Sequence, residues 1–183
     1  MIETEQKLTI DAGIADVWAY AHDIKRWAFL MPGLQTCEVI DADNSRWTLK
    51  VGAGGMVRTV NVAVQVLKWD GPEKVEFAYK LQNDPVEGGG TYRAIANGAH
   101  ATDVTLNVRV VGSGPMAPMW EAMGRPLLPT LARGFAEKLK AEIEQAVSAQ
   151  PAATAPSLVV KVWRAIQEFW RNLVGAPQGG VSP

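Results

Sequence analysis

The chain has 183 residues and a formal net charge of −1, and 48% of its residues are hydrophobic and 20% charged. This length and composition are typical of one globular domain with an appendage, long enough to bury a hydrophobic core. The balanced charge gives no indication of a nucleic-acid partner, and the single cysteine, Cys37, excludes an internal disulfide and is typical of a reducing compartment.

The first thirty residues predict one strand and two short helices. Residues 2–10 alternate between apolar and polar and indicate a half-buried strand. Asp11 is placed to cap a helix over DAGIADVWAYAHD, and a second helix over IKRWAFL is expected to end before Pro32 and Gly33. Neither a secretion signal nor an uncharged apolar stretch of about 18 residues is present, so we expect a cytoplasmic protein, peripheral on the inner face of the cell membrane.

Six further strands follow with a period of two. They cover TCEVIDA, RWTLKVG, MVRTVNVAVQVLKW, KVEFAYKLQ, GTYRAIANG and ATDVTLNVRVVG, and turn signals separate them, among them the glycine run at residues 88–90. Short turns between consecutive strands predict an antiparallel meander. The polar residues Asn61, Arg93, Asn107 and Arg109 have the opposite parity to the apolar ones and are expected to face outward.

A long helix is predicted to complete the domain. Its apolar stripe repeats every four residues, and Gly124, Pro126 and Pro129 are expected to kink or divide it. This helix is the only predicted element able to cover the apolar face of the sheet. The prediction is therefore an α+β helix-grip fold, in which a seven-stranded antiparallel sheet wraps a long C-terminal helix and any remaining gap becomes a cavity.

Three stretches of the chain resemble the START-like, or Bet v 1-like (SRPBCC), superfamily. The stretches are LTIDAGIADVWAYAHDIKRW with the following MPG, WTLKVGAGGMVRTVNVAVQV, and LNVRVVGSGPMAPMWEAMGRPLLPTLARGFAEKLKAEIE, within residues 2–147. They resemble most closely the CoxG family, which is named after an accessory protein of carbon monoxide dehydrogenase. That family usually has a cysteine directly after the Pro-Gly, whereas Leu34 follows here and Cys37 comes later.

The resemblance implies a non-catalytic carrier of hydrophobic ligands. A quinone-type lipid, such as a menaquinone-like quinone, is the natural cargo, and no metal or covalent cofactor is implied. The implied partners are a membrane surface and a molybdenum hydroxylase such as carbon monoxide dehydrogenase. Two alternatives stay open: a polyketide cyclase or aromatase-like enzyme, and an adaptor that docks a redox enzyme to the membrane without binding a ligand.

The candidate ligand-binding residues are apolar. Met116, Met119, Trp120 and Met123 share a helical face and suit an adaptable wall, although ordinary core packing explains them equally well. Residues near the Pro-Gly turn are candidates for a lid, with packing of a small helix on the sheet as the alternative. The full set is Trp27, Phe29, Met31, Trp47, Leu49, Val62, Val64, Phe77, Tyr79, Met116, Met119, Trp120, Met123, Leu127, Leu131 and Phe135.

No catalytic or metal-binding residues are predicted. The only two histidines, His22 and His100, do not fall into a metal-ligand pattern. The glycine-rich residues 52–55 join two strands and open no helix, so they indicate a hairpin turn rather than a phosphate-binding loop. Cys37 lies in a predicted strand and is expected to be a buried, inert thiol.

The C-terminal tail predicts an amphipathic helix. The domain of residues 1–147 is followed by an Ala/Pro linker at 148–156, a helix at 157–175 and a disordered end at 176–183. An apolar stripe opposite a basic polar face is typical of a helix that lies in a membrane surface, while docking on a partner or on the domain itself are the alternatives. The predicted membrane-binding residues are Lys161, Val162, Trp163, Arg164, Ile166, Phe169, Trp170, Arg171 and Leu173.

Overall fold

A computed structural model of the protein describes residues 1–53 and 56–149. The predicted tail helix and its membrane-binding residues lie outside the described residues. The strands are β1 (Ile2–Ile10), β2 (Leu34–Val39), β3 (Asn44–Ala53), β4 (Met56–Asp70), β5 (Lys74–Leu81), β6 (Val86–Ala96) and β7 (Thr102–Gly112). The helices are α1 (Ile14–Ala21), α2 (Ile24–Leu30) and α3 (Ala117–Ala149).

The seven strands form one antiparallel sheet in the order β1-β7-β6-β5-β4-β3-β2. Consecutive strands from β2 to β7 are neighbours because short connections join them, and β1 pairs with β7 at the far edge. The chain passes from the β1 edge to the β2 edge through α1 and α2. The predicted α+β fold, with one antiparallel sheet and a long C-terminal helix, is confirmed.

The two short helices begin in different ways. Asp23 caps α2, since its carboxylate accepts hydrogen bonds from the backbone N–H groups of Lys25 and Arg26. By contrast, α1 begins after Gly13, which makes no side-chain cap. The prediction that Asp11 caps α1 is wrong, because Asp11 lies two residues too early, and its backbone N–H donates to Oε1 of Glu144 on α3 at 2.8 Å.

The glycine run at residues 88–90 lies inside β6, so the prediction that it separates two strands is also wrong. Gly88 pairs with Tyr79 and Gly90 pairs with Phe77, both of β5. A Cβ atom on Gly88 would lie 2.5 Å from the Tyr79 hydroxyl, and one on Gly90 would lie 2.8 Å from Cζ of Phe77. The two rings therefore reach sideways across the glycines, and the missing side chains leave the space for them.

Helix α3 runs without a break through Pro126 and Pro129, so the proline residues do not divide it. It approaches the rest of the domain closely at two glycines. A Cβ atom on Gly124 would lie 2.8 Å from Cδ1 of Ile2 on β1, and one on Gly134 would lie 2.9 Å from Cγ of Pro32 after α2. The helix thus contacts the β1 edge of the sheet and the turn that leads into β2, with the apolar face of the sheet beneath it.

The hydrophobic core lies between the sheet and its helices. Alternate residues of the strands are buried as predicted, for example Trp47 and Leu49 on β3 and the valines at positions 60, 62, 64 and 66 on β4. The last turns of α3 contribute Leu139 and Ile143. None of the helices that the structure describes carries an apolar stretch long enough to cross a bilayer.

Candidate ligand-binding cavity

A cavity of about 560 Å³ lies between α3 and the sheet. Residues of β3 to β7, of α2 and of the first two thirds of α3 line it. This volume is within the range found for sites that hold drug-sized ligands, about 300–1,000 Å³. Almost every lining side chain is aliphatic or aromatic, so the cavity favours an apolar occupant.

The structure brings most of the predicted ligand-binding residues together around this cavity. Those that line it are Trp27, Met31, Trp47, Leu49, Val62, Val64, Phe77, Tyr79, Met119, Trp120, Met123, Leu127, Leu131 and Phe135. That they contact a ligand stays a prediction. As expected from their parity, Asn61, Arg93, Asn107 and Arg109 are not among the lining residues.

Two predicted residues lie elsewhere. Phe29 is 59% exposed, because it is two residues beyond the buried Trp27 on α2 and therefore points to the opposite side of the helix. Met116 is 50% exposed and precedes the first residue of α3, so it does not share the inward face of Met119 and Met123. Neither residue lines the cavity.

Trp27, Trp47 and Phe77 form an aromatic wall, which we call the closed end of the cavity. The Trp27 ring meets the Trp47 ring edge-on at 5.8 Å between centroids and the Phe77 ring at 6.0 Å. Trp27 and Trp47 are both buried. Trp27 therefore belongs to a small helix that packs on the sheet, which was the alternative to a lid.

The opposite end, which we call the open end, is formed by Val57, Arg58, Met119 and Trp120. Val57 and Met119 line the cavity and are also exposed, so the cavity reaches solvent between them. Arg58 spans this end: its guanidinium lies 5.3 Å from the centroid of the Trp120 ring, and its Nη2 is 2.8 Å from Oδ1 of Asp84. One side chain thus links β4, the connection between β5 and β6, and α3.

The hydrogen bonding of the polar atom is defined for four of the five lining tryptophans and tyrosines. Nε1 of Trp47 donates to Oγ of Ser45 at 2.9 Å, and the Tyr79 hydroxyl donates to the carbonyl oxygen of Arg109 at 2.8 Å. Nε1 of Trp27 and the hydroxyl oxygen of Tyr92 are buried without a hydrogen-bond partner in the described part of the chain. A buried polar group that lacks a partner costs about 1–3 kcal/mol.

Burial raises the pKa of both cavity tyrosines above the usual 10.0, so Tyr79 and Tyr92 are neutral phenols at physiological pH. The lining contributed by the described residues includes no Asp, Glu, His, Lys or Cys. Nor do three such metal-ligating side chains converge anywhere in residues 1–53 and 56–149. Cys37 lies outside the cavity and is half-buried rather than buried, and desolvation raises the pKa of its thiol.

Arg58 and Tyr92 are lining residues that the sequence pattern alone did not single out. Both could have been found from strand parity. Arg58 is two residues before Val60 and shares its inward face, and Tyr92 is next to the outward-facing Arg93. The same parity places Leu106, Val108 and Val110 of β7 on the cavity.

Solved structures with the same fold come from several organisms. A conserved protein from Geobacillus kaustophilus superposes with a TM-score of 0.67 at 16% identity, covering 79% of this chain and 97% of that chain. A START superfamily protein from Mycobacterium smegmatis gives 0.62 at 12% identity, covering 79% and 98%. The Zhui aromatase/cyclase from a Streptomyces species gives 0.60 at 17% identity, covering 81% and 96%.

Comparison with the sequences of curated proteins gives no significant match. The family described as polyketide cyclase / dehydrase and lipid transport, in contrast, matches residues 1–144. This match spans the sheet and nearly all of α3, and it covers every residue that lines the cavity. The chain therefore belongs to the polyketide cyclase / dehydrase and lipid transport family.

Proposed function

We propose that this protein is a non-catalytic carrier of a hydrophobic small molecule, and that its cargo is a quinone-type lipid. The observation that carries the proposal is the apolar cavity of about 560 Å³, closed by aromatic rings at one end and open to solvent at the other. The family description, which includes lipid transport, supports the same role.

A quinone-type lipid suits this cavity in shape and polarity. The edges and faces of Trp27, Trp47 and Phe77 offer a planar ring the offset and edge-on contacts that aromatic systems prefer. The aliphatic residues along α3, such as Leu127 and Leu131, suit an isoprenoid chain directed toward the open end. A chain longer than the cavity leaves through the same opening.

The cargo is collected and delivered at the cytoplasmic face of the membrane. Val57 and Met119 are exposed apolar residues at the rim of the open end, and Met116 is a third close to it in sequence. The predicted tail helix, with Trp163 and Trp170 opposite Lys161 and Arg171, supplies the attachment. The resemblance to the CoxG family makes a molybdenum-hydroxylase-type enzyme, such as carbon monoxide dehydrogenase, the recipient.

The chemistry of the cavity favours binding over turnover. General acid–base catalysis needs a side chain whose pKa lies near the working pH, and the lining by the described residues offers only neutral tyrosines and the ion-paired Arg58. A cyclase-like enzyme is the second candidate, since the polar side chain of Arg58 belongs to a residue that lines the cavity. It predicts turnover of an aromatic or polyketide substrate that is lost in Arg58→Ala.

Native mass spectrometry of the purified chain, combined with lipid extraction, tests the carrier function. We expect a mass increment that disappears after extraction and returns when a menaquinone is added. Bound quinone should also quench tryptophan fluorescence, because Trp27, Trp47 and Trp120 all line the cavity. A protein that neither retains nor accepts any apolar ligand contradicts the proposal.

Co-sedimentation with anionic lipid vesicles tests the membrane role separately. The full chain carrying Trp163→Glu and Trp170→Glu should lose most of its vesicle binding, since two charges would enter the apolar face of the predicted helix. Gln167→Glu is the control, because it adds a negative charge to the predicted polar face. Unchanged partitioning of the double variant would remove the tail from the proposal.

A further inference from the structure

We propose that residues 117–125, the first turns of α3, form a gate that moves away from the sheet to let the ligand enter and leave the cavity. This inference rests on the proposed function, namely that the cavity holds a ligand, and it assigns the part of the protein that opens. Two segments flank the gate: the connection at residues 113–116 before it and the proline-containing turns at residues 126–129 after it.

The first half of α3 is less tightly packed than the second half. The buried residues of this helix all come after Pro129, and they are Ala132, Ala136, Leu139 and Ile143. The inward residues between positions 119 and 131 line the cavity instead, so they do not pack closely against side chains of the sheet. Segments with few buried apolar contacts open locally at a lower free energy than the rest of a fold. Within α3, opening is therefore expected in the first half.

Two prolines weaken the helix where its halves meet. Because proline has no N–H, the carbonyl oxygens of Ala122 and Arg125 lack the hydrogen bond that the residue four positions later normally donates. The hydroxyl of Thr130 also donates to the carbonyl oxygen of Pro126 at 3.0 Å, a side-chain bond of the kind that bends helices. Proline is a common site of helix kinks. Residues 126–129 thus provide a hinge.

The connection before the gate provides a second point of movement. Ser113 is fixed to the body of the domain, since its backbone N–H donates to the carbonyl oxygen of Pro85 at 2.8 Å. Gly114 follows with a φ of 70°, and a Cβ atom there would meet no atom within 4 Å. All four residues of the connection are exposed, so a change in its shape disturbs little packing.

Contacts at the surface hold the gate closed. The guanidinium of Arg58 lies 5.3 Å from the centroid of the Trp120 ring, and the N-terminal ammonium of Met1 forms an ion pair with the carboxylate of Glu121. Ion pairs and cation–π contacts are weak where water reaches them. The closed position is therefore maintained by interactions that can break and form again repeatedly.

The opening of the cavity lies at the edge of the gate. Met119, one of the two exposed residues at this opening, belongs to the gate, whereas Val57 belongs to β4. Trp120 and Met123 of the gate line the cavity as well. Movement of the gate away from the sheet therefore separates Met119 from Val57 and widens the passage for the ring of the ligand.

Hydrogen exchange followed by mass spectrometry tests the gate on the full chain without a ligand. The backbone amides of residues 121–131 should exchange at least about ten times faster than those of residues 135–145. The double variant Pro126→Ala/Pro129→Ala should slow the exchange of residues 121–131, because two new N–H groups complete the hydrogen bonding of the helix. Pro118→Ala is the control, since the first four N–H groups of a helix have no partner within it.

A reversible cross-link tests the passage of a ligand. A Cβ atom on Gly124 would lie 2.8 Å from Cδ1 of Ile2, so a disulfide between Ile2→Cys and Gly124→Cys ties the gate to β1. Both substitutions are made together with Cys37→Ser, and tryptophan fluorescence follows the release of 2,3-dimethyl-1,4-naphthoquinone. The oxidised protein should release this quinone at least about ten times more slowly than the same protein after reduction.

A second cross-link beyond the hinge is the matched control. A Cβ atom on Gly134 would lie 3.9 Å from Cβ of Pro32, which suits a disulfide between Pro32→Cys and Gly134→Cys. This bond leaves the gate free, so the release rate should not depend on oxidation. Mass measurement verifies each disulfide. If the one at the gate does not form, the release rate of Pro126→Ala/Pro129→Ala decides, and it should be lower than that of Pro118→Ala.

The outcomes separate the gate from the function on which it rests. Slow release only with the gate cross-linked, together with fast exchange in residues 121–131, supports the gate. Equal release before and after reduction, or equal exchange in the two halves of α3, overturns the gate and leaves the carrier function standing. Failure of this quinone and of menaquinone to bind overturns the carrier function, while the exchange experiment still decides whether the first half of α3 opens.

Discussion

The closed and the open end of the cavity are built from different kinds of side chain. Buried aromatic rings meet at the closed end, whereas exposed Val57 and Met119 and the ion-paired Arg58 surround the open end. Gly134 of α3 contacts Pro32, which follows α2, and Trp120 of α3 contacts Arg58 at the open end. These two positions are about 21 Å apart along the helix, at 1.5 Å per residue. For the proposed carrier, this difference predicts that substitutions at the closed end change affinity, whereas substitutions at the open end change the rate of release.

Filling the space between the two ends should have the largest effect. Val64→Trp places a bulky ring on the inward face of β4, and we expect the affinity for the dimethylnaphthoquinone to fall at least about a hundredfold because the ligand is excluded. Calorimetry measures the loss, and circular dichroism verifies the fold. Gln65→Trp, one residue away on the exposed face, should bind normally; full affinity of Val64→Trp would place the ligand elsewhere.

Loosening the open end should change the rate of ligand release more than the affinity for the ligand. Arg58→Ala removes the ion pair with Asp84 and the contact with Trp120, so we expect quinone to dissociate about three to ten times faster. Stopped-flow fluorescence follows the release. The free energy of unfolding should fall by only about 1 kcal/mol or less, because the pair is partly exposed.

Arg46→Ala is the control for this experiment, since it breaks an exposed pair with Glu38 on strands β3 and β2 that does not touch the cavity. Equal release rates from both variants would mean that Arg58 does not restrain the opening.

The smallest effect concerns pH. Burial raises the pKa of Tyr92 in the folded state, so the unfolded chain loses this proton first, near its usual pKa of about 10. The free energy of unfolding should therefore be insensitive to this group below about pH 9 and decline above about pH 10. Urea titrations should show a shallower decline in Tyr92→Phe, because phenylalanine has no proton to lose.

An identical alkaline decline in Tyr92→Phe and the unsubstituted protein would mean that Tyr92 does not contribute to it. The decline that remains in Tyr92→Phe should be reduced further by Tyr79→Phe, whose pKa is raised for the same reason.

Sequence periodicity was sufficient to predict the order of the strands along the chain. It also predicted which strand residues face inward, among them Trp47, Val62 and Phe77. These properties depend on alternation along a single strand, which neighbouring elements do not change. Phe29 and Met116 were misplaced because proximity in sequence does not give the direction of a side chain on a short helix or before one. The inward position of Arg58 follows from parity, but a pattern restricted to apolar residues does not include it.

The state of the polar atoms depends on tertiary contacts. Nothing in the sequence distinguishes the free indole of Trp27 from that of Trp47, whose partner Ser45 lies two residues away on the same strand. The glycine run at residues 88–90 was predicted wrongly for the same reason, since local preference indicates a break while the neighbouring strands maintain the ladder.

That run also affects where two aromatic rings of the cavity lie. Phe77 and Tyr79 lie flat along the sheet only because Gly88 and Gly90 present no side chains beneath them. Any larger residue there would lift a ring away from the sheet or shift β7, because a Cβ atom on Gly90 would overlap the carbonyl oxygen of Asn107. The positions of the Phe77 and Tyr79 rings in the lining therefore depend on a strand segment without side chains.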